Sequence, residues 1–210
     1  MVQVEEHTAA DLIPPRPSLN GLRRRAATCT ACPLYADATQ TVFGEGPADA
    51  RLMLVGEVPG DYEDRTGHPF VGPAGRLLDR CLADAGIDRD KAYVTNVVKH
   101  FKWLLRGKKR LHGKINRGEI KACTPWLFAE LDVLKPDLVV CLGATAAHTL
   151  IGPHFSVMRE RGKLVSSTVA PRIVATVHPS ALLRGDPATR DVEIGRFVKD
   201  LETAARLMQR

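Results

Sequence analysis

Four apolar segments of strand length, separated by helical segments, constrain the fold of this chain more than any other feature. They are nearly continuous rather than alternating in polarity, which is typical of strands buried on both faces of a parallel sheet. The predicted strands are Arg51–Gly56, Ala92–Val98, Asp137–Leu142 and Arg172–Val177. The predicted helices between and after them are Pro73–Ala85, Arg117–Leu134, Ala144–Ile151 and Ala188–Met208. This alternation predicts an α/β fold in three layers, with helices flanking a central, mostly parallel four-stranded sheet.

The chain has the length of one domain. Its 210 residues fall within the usual size of a single unit with its own core. We expect residues 18–210 to form this domain, and the proline- and charge-rich residues 1–17 to form a flexible arm. The N-terminus lacks the basic and apolar regions of a secretory signal, and no apolar run approaches the roughly 20 residues of a spanning helix. We therefore expect a cytoplasmic protein, and a monomer.

Positive charge is concentrated in one segment. The chain has 30 Lys and Arg against 24 Asp and Glu, a net charge of +6, but overall charge is weak evidence for a nucleic-acid partner. Residues 102–117 contain seven of these cations and His112, and no acid. Such a segment is either a solvated loop or a surface for DNA phosphates. In the second case Lys108, Lys109 and Lys114 are the expected contacts.

The five cysteines are an odd number in a chain that we expect to be cytoplasmic, which disfavours a disulfide framework. Cys29 and Cys32 form a Cys-x-x-Cys pair, and Cys123 and Cys141 follow some 90 residues later. Four thiolates suit either zinc or a [4Fe–4S] cluster, and spacing does not choose between them. Alternatively, Cys141 is only a small apolar residue of its strand. Cys81, inside a predicted helix, is expected to pack in the core.

Polar residues cluster where the predicted strands end. The carboxyl ends of parallel strands share one edge of the sheet, which is where ligands bind in such folds. Glu57 follows the first strand, Asn96 lies near the end of the second, and His178 follows the fourth. The Asn96 amide offers a donor and an acceptor side by side, which complements O4 and N3–H of uracil and opposes cytosine. Its alternative role is a buried amide bonded to backbone, and Glu57 and His178 have similar structural alternatives.

Five segments of the sequence together resemble the motifs of a known protein family. They are, in this order, GEVPGDYED, GHPFVGPAGRLLD, YVTNVVKHF, VCLGATAA and TVHPSALLR. Together they resemble the family 4 uracil-DNA glycosylases, over the chain from about Cys29 to the final helix. The segment GKKRLH resembles the inserted KRRIH-type loop of the UdgX branch. Members of that branch carry an iron–sulfur cluster and become covalently attached to uracil-containing DNA.

The resemblance assigns roles to individual residues. The ligands of a [4Fe–4S] cluster would be Cys29, Cys32, Cys123 and Cys141. The base pocket would contain Gly60 and Asp61, with Phe70 stacking on uracil, Asn96 reading its pairing edge and His178 contacting O2. The reaction centre would contain the Glu57 carboxylate and the nucleophile His112, which Arg110 would place.

The resemblance therefore implies excision of uracil from DNA, preferably single-stranded, followed by a bond between His112 and C1′ that ends the reaction after one turnover. The sequence departs from the UdgX pattern at Val58, Lys109 and Leu111, where Gln, Arg and Ile are expected. Val58 removes a polar group near the nucleophile. Two alternatives stay open. One is a multiple-turnover hydrolytic uracil-DNA glycosylase, and the other is a non-enzymatic, metal-containing module that binds nucleic acid.

Overall fold

The computed structural model describes residues 7–209 and has the predicted α/β architecture, with one more strand in the sheet. The seven strands are β1 (Leu52–Gly56), β2 (Ala92–Asn96), β3 (Trp103–Arg106), β4 (Lys109–His112), β5 (Leu138–Leu142), β6 (Leu164–Val165) and β7 (Ile173–Thr176). Five of them form the central sheet in the order β2-β1-β5-β7-β6. The prediction of four strands was wrong because β6 has only two residues, too few to give an apolar run.

The four predicted strands are the parallel part of this sheet, and β6 pairs with β7 in the antiparallel direction. Every residue of β1, β2, β5 and β7 is buried. Strands buried on both faces require apolar side chains at successive positions, which explains the continuous pattern in the sequence. The carboxyl ends of β1, β2 and β7 meet at one edge of the sheet, and this edge carries the site described below.

Helices flank the sheet. The α-helices are α1 (Leu19–Ala26), α2 (Asp61–Thr66), α3 (Pro73–Asp84), α4 (Arg117–Leu134), α5 (Ala144–Leu150), α6 (Val157–Glu160), α7 (Pro179–Arg184) and α8 (Arg190–Met208). Helix α4 begins with a capping box: Glu119 N donates to Asn116 Oδ1 at 2.9 Å, and Asn116 N donates to Glu119 Oε2 at 2.7 Å. These two bonds satisfy free N–H groups in the first turn of α4.

The basic segment forms a hairpin and not the loop that its charge suggests. Strands β3 and β4 pair in the antiparallel direction, with Trp103 opposite His112 and Leu105 opposite Arg110. Opposite residues of a hairpin point to the same face, so Trp103, Leu105, Arg110 and His112 share one face of the hairpin. The sequence hides these strands because they are short and the cations interrupt their alternation.

The N-terminal arm expected over residues 1–17 is packed for part of its length. Ala9–Leu12 form a 3₁₀ turn capped by the Thr8 hydroxyl, and Ala9 is fully buried against the core. This turn contacts α4, so at this point the chain differs from a loose arm. Residues 1–6 of the expected arm lie outside the described residues. Over residues 7–209, none of the helices has both the length and the apolar character needed to span a membrane.

Candidate active site

One cavity at the carboxyl edge of the sheet brings together most of the residues predicted for the site. Its lining includes Gly60, Asp61, Phe70, Asn96, His112 and His178. These residues come from the segment after β1, the end of β2, the hairpin and the segment after β7. The predicted site residues Glu57 and Arg110 are not part of the lining.

Asn96 is buried and its amide faces the cavity without a protein partner. It is 2% exposed, and among the described residues no group forms a hydrogen bond with its side chain. Because Asn96 lines the cavity, a ligand there can supply the hydrogen bonds of its amide. The alternative of an Asn96 side chain satisfied by backbone is therefore not what this structure shows.

Gly56 allows Asn96 and Phe70 to approach each other. A Cβ at Gly56 would overlap both the Asn96 Oδ1 atom and the Phe70 ring. The last residue of β1 is thus a glycine because two side chains of the cavity occupy the space beside it. This close approach puts an aromatic face and a hydrogen-bonding edge in one cavity, as a planar heterocycle requires.

Phe70 has a strained backbone that fixes the direction of its ring. Its φ is +59°, a left-handed conformation that is uncommon for a bulky residue. The first turn of α3 holds it there, because Gly75 lies so close to the Phe70 carbonyl that a Cβ at this position would overlap it. Strain of this kind persists where the surrounding structure imposes it, and it is concentrated at functional sites.

His178 has a defined tautomer. Ser180 N donates to its Nδ1 at 3.1 Å, and the Ser180 hydroxyl lies 2.8 Å from the same atom. Because Nδ1 accepts these bonds, the proton of the neutral ring is on Nε2. Burial lowers the pKa of His178 to about 4, with smaller contributions from the positive charges of Arg184 and His112. His178 is therefore neutral at pH 7 and has an N–H to donate inside the cavity.

His112 lines the same cavity from the end of β4. Its ring lies 6.0 Å from that of Phe101. Burial lowers its pKa below the ordinary value of 6.5, and the Glu57 carboxylate opposes this change. At neutral pH the imidazole is thus uncharged and has a free lone pair, with a carboxylate close enough to influence its proton.

Arg110 holds the hairpin against α2. Its Nε donates to Asp61 Oδ1 at 2.6 Å, and its Nη1 donates to Asp64 Oδ2 at 2.7 Å. The guanidinium also lies 5.5 Å from the ring centres of Phe101 and Trp103. Ion pairs with two carboxylates and two aromatic contacts fix the strand that carries His112. Arg110 therefore holds the strand that carries His112, and it is not part of the cavity lining.

A buried ion pair behind Asn96 was not predicted. Lys99 Nζ lies 2.5 Å from Glu130 Oε2 and donates to the Asn96 carbonyl at 2.7 Å, and both charged side chains are at most 1% exposed. Glu130 Oε1 also accepts hydrogen bonds from Gly44 N and the Tyr93 hydroxyl, at 3.1 and 2.8 Å. The only sequence signal for this network is a Glu on the otherwise apolar face of α4.

Three of the four predicted cluster ligands lie near one another. Cys29, Cys32 and Cys123 are all buried. Burial raises the pKa of Cys123 to about 12; Lys99 opposes this, and Cys32 and Cys29 reinforce it. Two of the thiols also accept N–H groups, Cys29 from Trp126 Nε1 at 3.4 Å and Cys123 from Lys99 N at 3.2 Å. Over residues 7–209 no three His, Cys, Asp or Glu side chains stand at metal-binding spacing.

The structure does not bring Cys141, the predicted fourth ligand, together with the other three cysteines. It is fully buried in β5 between Val55 of β1 and Ala175 of β7. Cys123 contacts Lys99, just beyond β2, and β2 is two strand spacings, roughly 10 Å, from β5. Burial alone raises the pKa of Cys141 to about 12, with no contribution from the other thiols. Cys141 is thus a small apolar residue of the core, and so is Cys81.

The surface around the cavity is basic. Lys108, Lys109 and Lys114, predicted to contact DNA phosphates, are all exposed on or beside the hairpin. Arg184, at the end of α7, lines the cavity. The lining also contains the carboxylates of Asp61 and Glu63. The cations suit a ligand whose negative charge lies outside the cavity.

The sequence also matches known proteins over most of its length. Residues 43–202 match the family described as the uracil DNA glycosylase superfamily. A type-4 uracil-DNA glycosylase of Thermotoga maritima is 38% identical over 188 residues, which cover 89% of this chain and 92% of that protein. A type-4 uracil-DNA glycosylase of Pyrobaculum aerophilum is 36% identical over 190 residues, covering 87% and 91% of the two chains.

Among solved structures, SMUG2 of Pedobacter heparinus shares the fold, with a TM-score of 0.53 at 15% identity. The match covers 75% of this chain and 77% of that one. This likeness concerns the fold alone, whereas the sequence matches identify the family. Because the family match covers most of the chain and the relatives are more than 30% identical over nearly all of it, the chain belongs to the uracil-DNA glycosylase superfamily and to its type-4 group.

Proposed function

We propose that this protein excises uracil from DNA and that His112 then bonds to C1′ of the sugar, so that each molecule acts once. The observation that carries this proposal is the position of His112. A hairpin fixed by Arg110 brings a neutral imidazole into the same cavity as Asn96, Phe70 and His178. The type-4 relatives support the excision step, and the UdgX-like hairpin sequence supports the covalent step.

Recognition of uracil follows from the contents of the cavity. A base inside a helix is out of reach, so the target nucleotide rotates out of the stack, which costs a few kcal/mol. Phe70 offers a ring face for stacking, and the partnerless Asn96 amide offers one donor and one acceptor to O4 and N3–H. Cytosine presents the opposite pattern at these positions and leaves both Asn96 groups unpaired, which disfavours its binding.

Departure of uracil requires stabilisation of negative charge on the base. As the C1′–N1 bond breaks, its electron pair leaves with uracil and the sugar gains positive charge. The Nε2–H of His178 donates to O2 of the departing base, and this hydrogen bond is stronger when O2 is anionic than in the substrate. The Glu57 carboxylate offsets the positive charge that develops on the sugar.

Capture of the sugar ends the reaction. A ring nitrogen of His112 donates its lone pair to C1′, which forms an N–C bond and an imidazolium. Glu57, whose charge already acts on this ring, takes the proton from the other nitrogen. The product is a neutral alkylated imidazole, which is a poor leaving group, and the uracil anion takes a proton from water. The adduct therefore persists.

The test of this proposal is incubation of the protein with a single-stranded oligonucleotide that contains one uracil, followed by denaturing electrophoresis. We expect a slower-migrating, SDS-resistant species and an equal amount of free uracil. The same oligonucleotide with thymine is the control and gives neither product. Release of many uracils per protein without an adduct would instead indicate a hydrolytic glycosylase, and no release at all would indicate a nucleic-acid-binding module.

We expect capture to depend on pH through His112. Only the neutral imidazole has a lone pair for C1′, and burial lowers the pKa of His112 below 6.5. The neutral form is therefore the major one at pH 7, and its fraction falls as the pH drops through this pKa. The rate of adduct formation should fall with a midpoint below 6.5. A midpoint at or above pH 7 would contradict a His112 that is neutral at pH 7.

We also propose that Cys29, Cys32 and Cys123 hold an iron–sulfur cluster. Buried thiols that accept backbone and indole N–H groups suit this cofactor, whose properties depend on hydrogen bonds to sulfur. His100 suits the fourth position, because it is buried, follows Lys99 directly and contacts Thr41 Oγ1 at 2.9 Å. That Thr41 hydroxyl also donates to the Ala26 carbonyl, which accepts the Cys29 N–H. The role of such a cluster would be structural, since it ties the N-terminal segment to α4.

The ligand assignment predicts the iron content of cysteine variants. Protein purified without oxygen should be brown and contain about four iron atoms per chain. Cys29→Ala and Cys123→Ala should lose colour and become sensitive to proteolysis, because the cluster links distant segments. Cys141→Ala and Cys81→Ala are the matched controls, equally buried, and should keep the full iron content. Loss of iron in Cys141→Ala, or full iron in Cys123→Ala, would contradict the assignment.

A further inference from the structure

The mouth of the cavity carries an exposed aromatic ring that the reaction above does not use. Tyr62, the second residue of α2, lines the cavity and is 56% exposed. Among residues 7–209 its hydroxyl has no hydrogen-bond partner. An aromatic side chain of this size at the entrance of a binding cavity leaves a large apolar face in water unless a ligand covers it.

The backbone beneath Tyr62 is rigid. On one side, Asp61 is paired with Arg110. On the other side, the buried Glu63 accepts the N–H groups of Gly60 and Gly72 at 3.0 and 2.8 Å. The Cβ of Tyr62 lies beside Gly72, where an added side chain would touch it. The backbone that carries the Tyr62 ring is therefore held at a defined place on the rim of the cavity.

A nucleobase is the ligand that fits this ring and its surroundings. When uracil enters the cavity, the bases next to it in the strand lose a stacking partner. Arg184 in the cavity lining and the exposed lysines of the hairpin supply cations for the phosphates of this strand. Aromatic side chains stack on any base, whatever its sequence, because every base has a flat face.

We propose that Tyr62 forms a second base subsite, in which the unpaired base next to the target uracil stacks on its ring. This inference rests on the proposed function, since the neighbouring base arrives there only when uracil occupies the cavity. The subsite would strengthen binding to single strands, whose bases are free to stack, more than binding to duplexes, whose bases already have partners.

The first measurement is the equilibrium affinity for a single-stranded oligonucleotide that contains 2′-fluoro-2′-deoxyuridine, with fluorescence anisotropy as the readout. The fluorine disfavours positive charge on the sugar and so slows cleavage, which leaves binding as the readout. Tyr62→Ala should weaken binding by roughly 5- to 150-fold, the equivalent of stacking one base, about 1–3 kcal/mol. Tyr62→Phe should stay within about twofold of the wild type. Tyr35→Ala is the control, because Tyr35 is 47% exposed but not on the cavity.

The second measurement removes the partner instead of the tyrosine. Each base beside the fluorinated uridine is replaced in turn by an abasic spacer. If Tyr62 stacks on one of them, that spacer should weaken binding by the wild type and should leave Tyr62→Ala unaffected. Unchanged binding by Tyr62→Ala would overturn the inference. So would a loss that is the same with and without both neighbouring bases, because it would indicate a general effect on the fold.

The two proposals fail in different ways. If the wild type neither prefers uracil over thymine in this assay nor forms an adduct with ordinary uracil-DNA, the proposed function is wrong and the subsite is wrong with it. If the wild type does both and Tyr62→Ala behaves identically, only the subsite is wrong. Tyr62→Phe separates stacking from hydrogen bonding, since a loss in that variant would assign the effect to the hydroxyl.

Discussion

Replacing His112 by alanine should abolish the SDS-resistant adduct. The methyl group of alanine has no lone pair to donate to C1′. His178, the other imidazole of the cavity lining, does not replace His112, because its Nδ1 already accepts hydrogen bonds from Ser180. The variant should fold normally, because His112 is at the accessible end of a hairpin that Arg110 anchors. Salt-dependent binding to DNA should also persist, since the hairpin keeps its Lys and Arg.

Glycine or serine at position 112 should do more than prevent the adduct: it should allow the protein to turn over. In His112→Gly or His112→Ser, water can enter the space beside C1′, and Glu57 remains to polarise it. These variants should release free uracil, leave an abasic site and turn over more than once. Gel electrophoresis and quantification of free uracil measure both products. His154→Ala, an exposed histidine away from the cavity, is the control. An adduct in His112→Ala, or one that peptide mass spectrometry assigns to another residue, would contradict the mechanism.

The parts of the fold that the sequence predicts are those in which local pattern and tertiary environment agree. Central strands buried on both faces need apolar residues throughout, so β1, β2, β5 and β7 are visible in the sequence. The start of α4 is visible because its capping box is local. Strand β6 and the hairpin are not, because short edge strands and exposed strands carry no continuous apolar signal.

The same distinction applies to the site. Motifs at the carboxyl ends of strands converge because the parallel sheet brings those ends together, and Asn96, Phe70 and His178 do so. The role of Cys141 could not be decided from the sequence. Spacing along the chain does not reveal that β1 lies between β2 and β5, the strand that contains Cys141. The partner of Lys99 could not be found either, because a lysine and a glutamate 31 residues apart are normally both at the surface.

The buried Lys99–Glu130 ion pair should contribute as much to the free energy of unfolding as any core side chain. Lys99→Met leaves the Glu130 carboxylate buried without its counter-ion, and Glu130→Gln leaves the Lys99 ammonium in the same position. Breaking a buried ion pair by removing one partner costs about 3–5 kcal/mol, whereas Arg51→Ala, in a pair that is 62% and 38% exposed, should cost less than about 1 kcal/mol. Urea unfolding followed by circular dichroism gives the three free energies of unfolding. A loss in Lys99→Met no larger than that in Arg51→Ala would contradict this prediction.

The pair also connects the stability of the sheet to recognition of the base. Lys99 Nζ donates to the carbonyl of Asn96, and Lys99 N donates to Cys123 Sγ. One residue thus contacts the backbone of the uracil-reading position and a thiol of the proposed cluster. In Lys99→Met the Asn96 carbonyl loses its donor, so the amide that reads uracil is held less firmly. We therefore expect a variant that is stable enough to assay at low temperature to bind uracil-DNA more weakly than the wild type, with thymine-DNA binding unchanged.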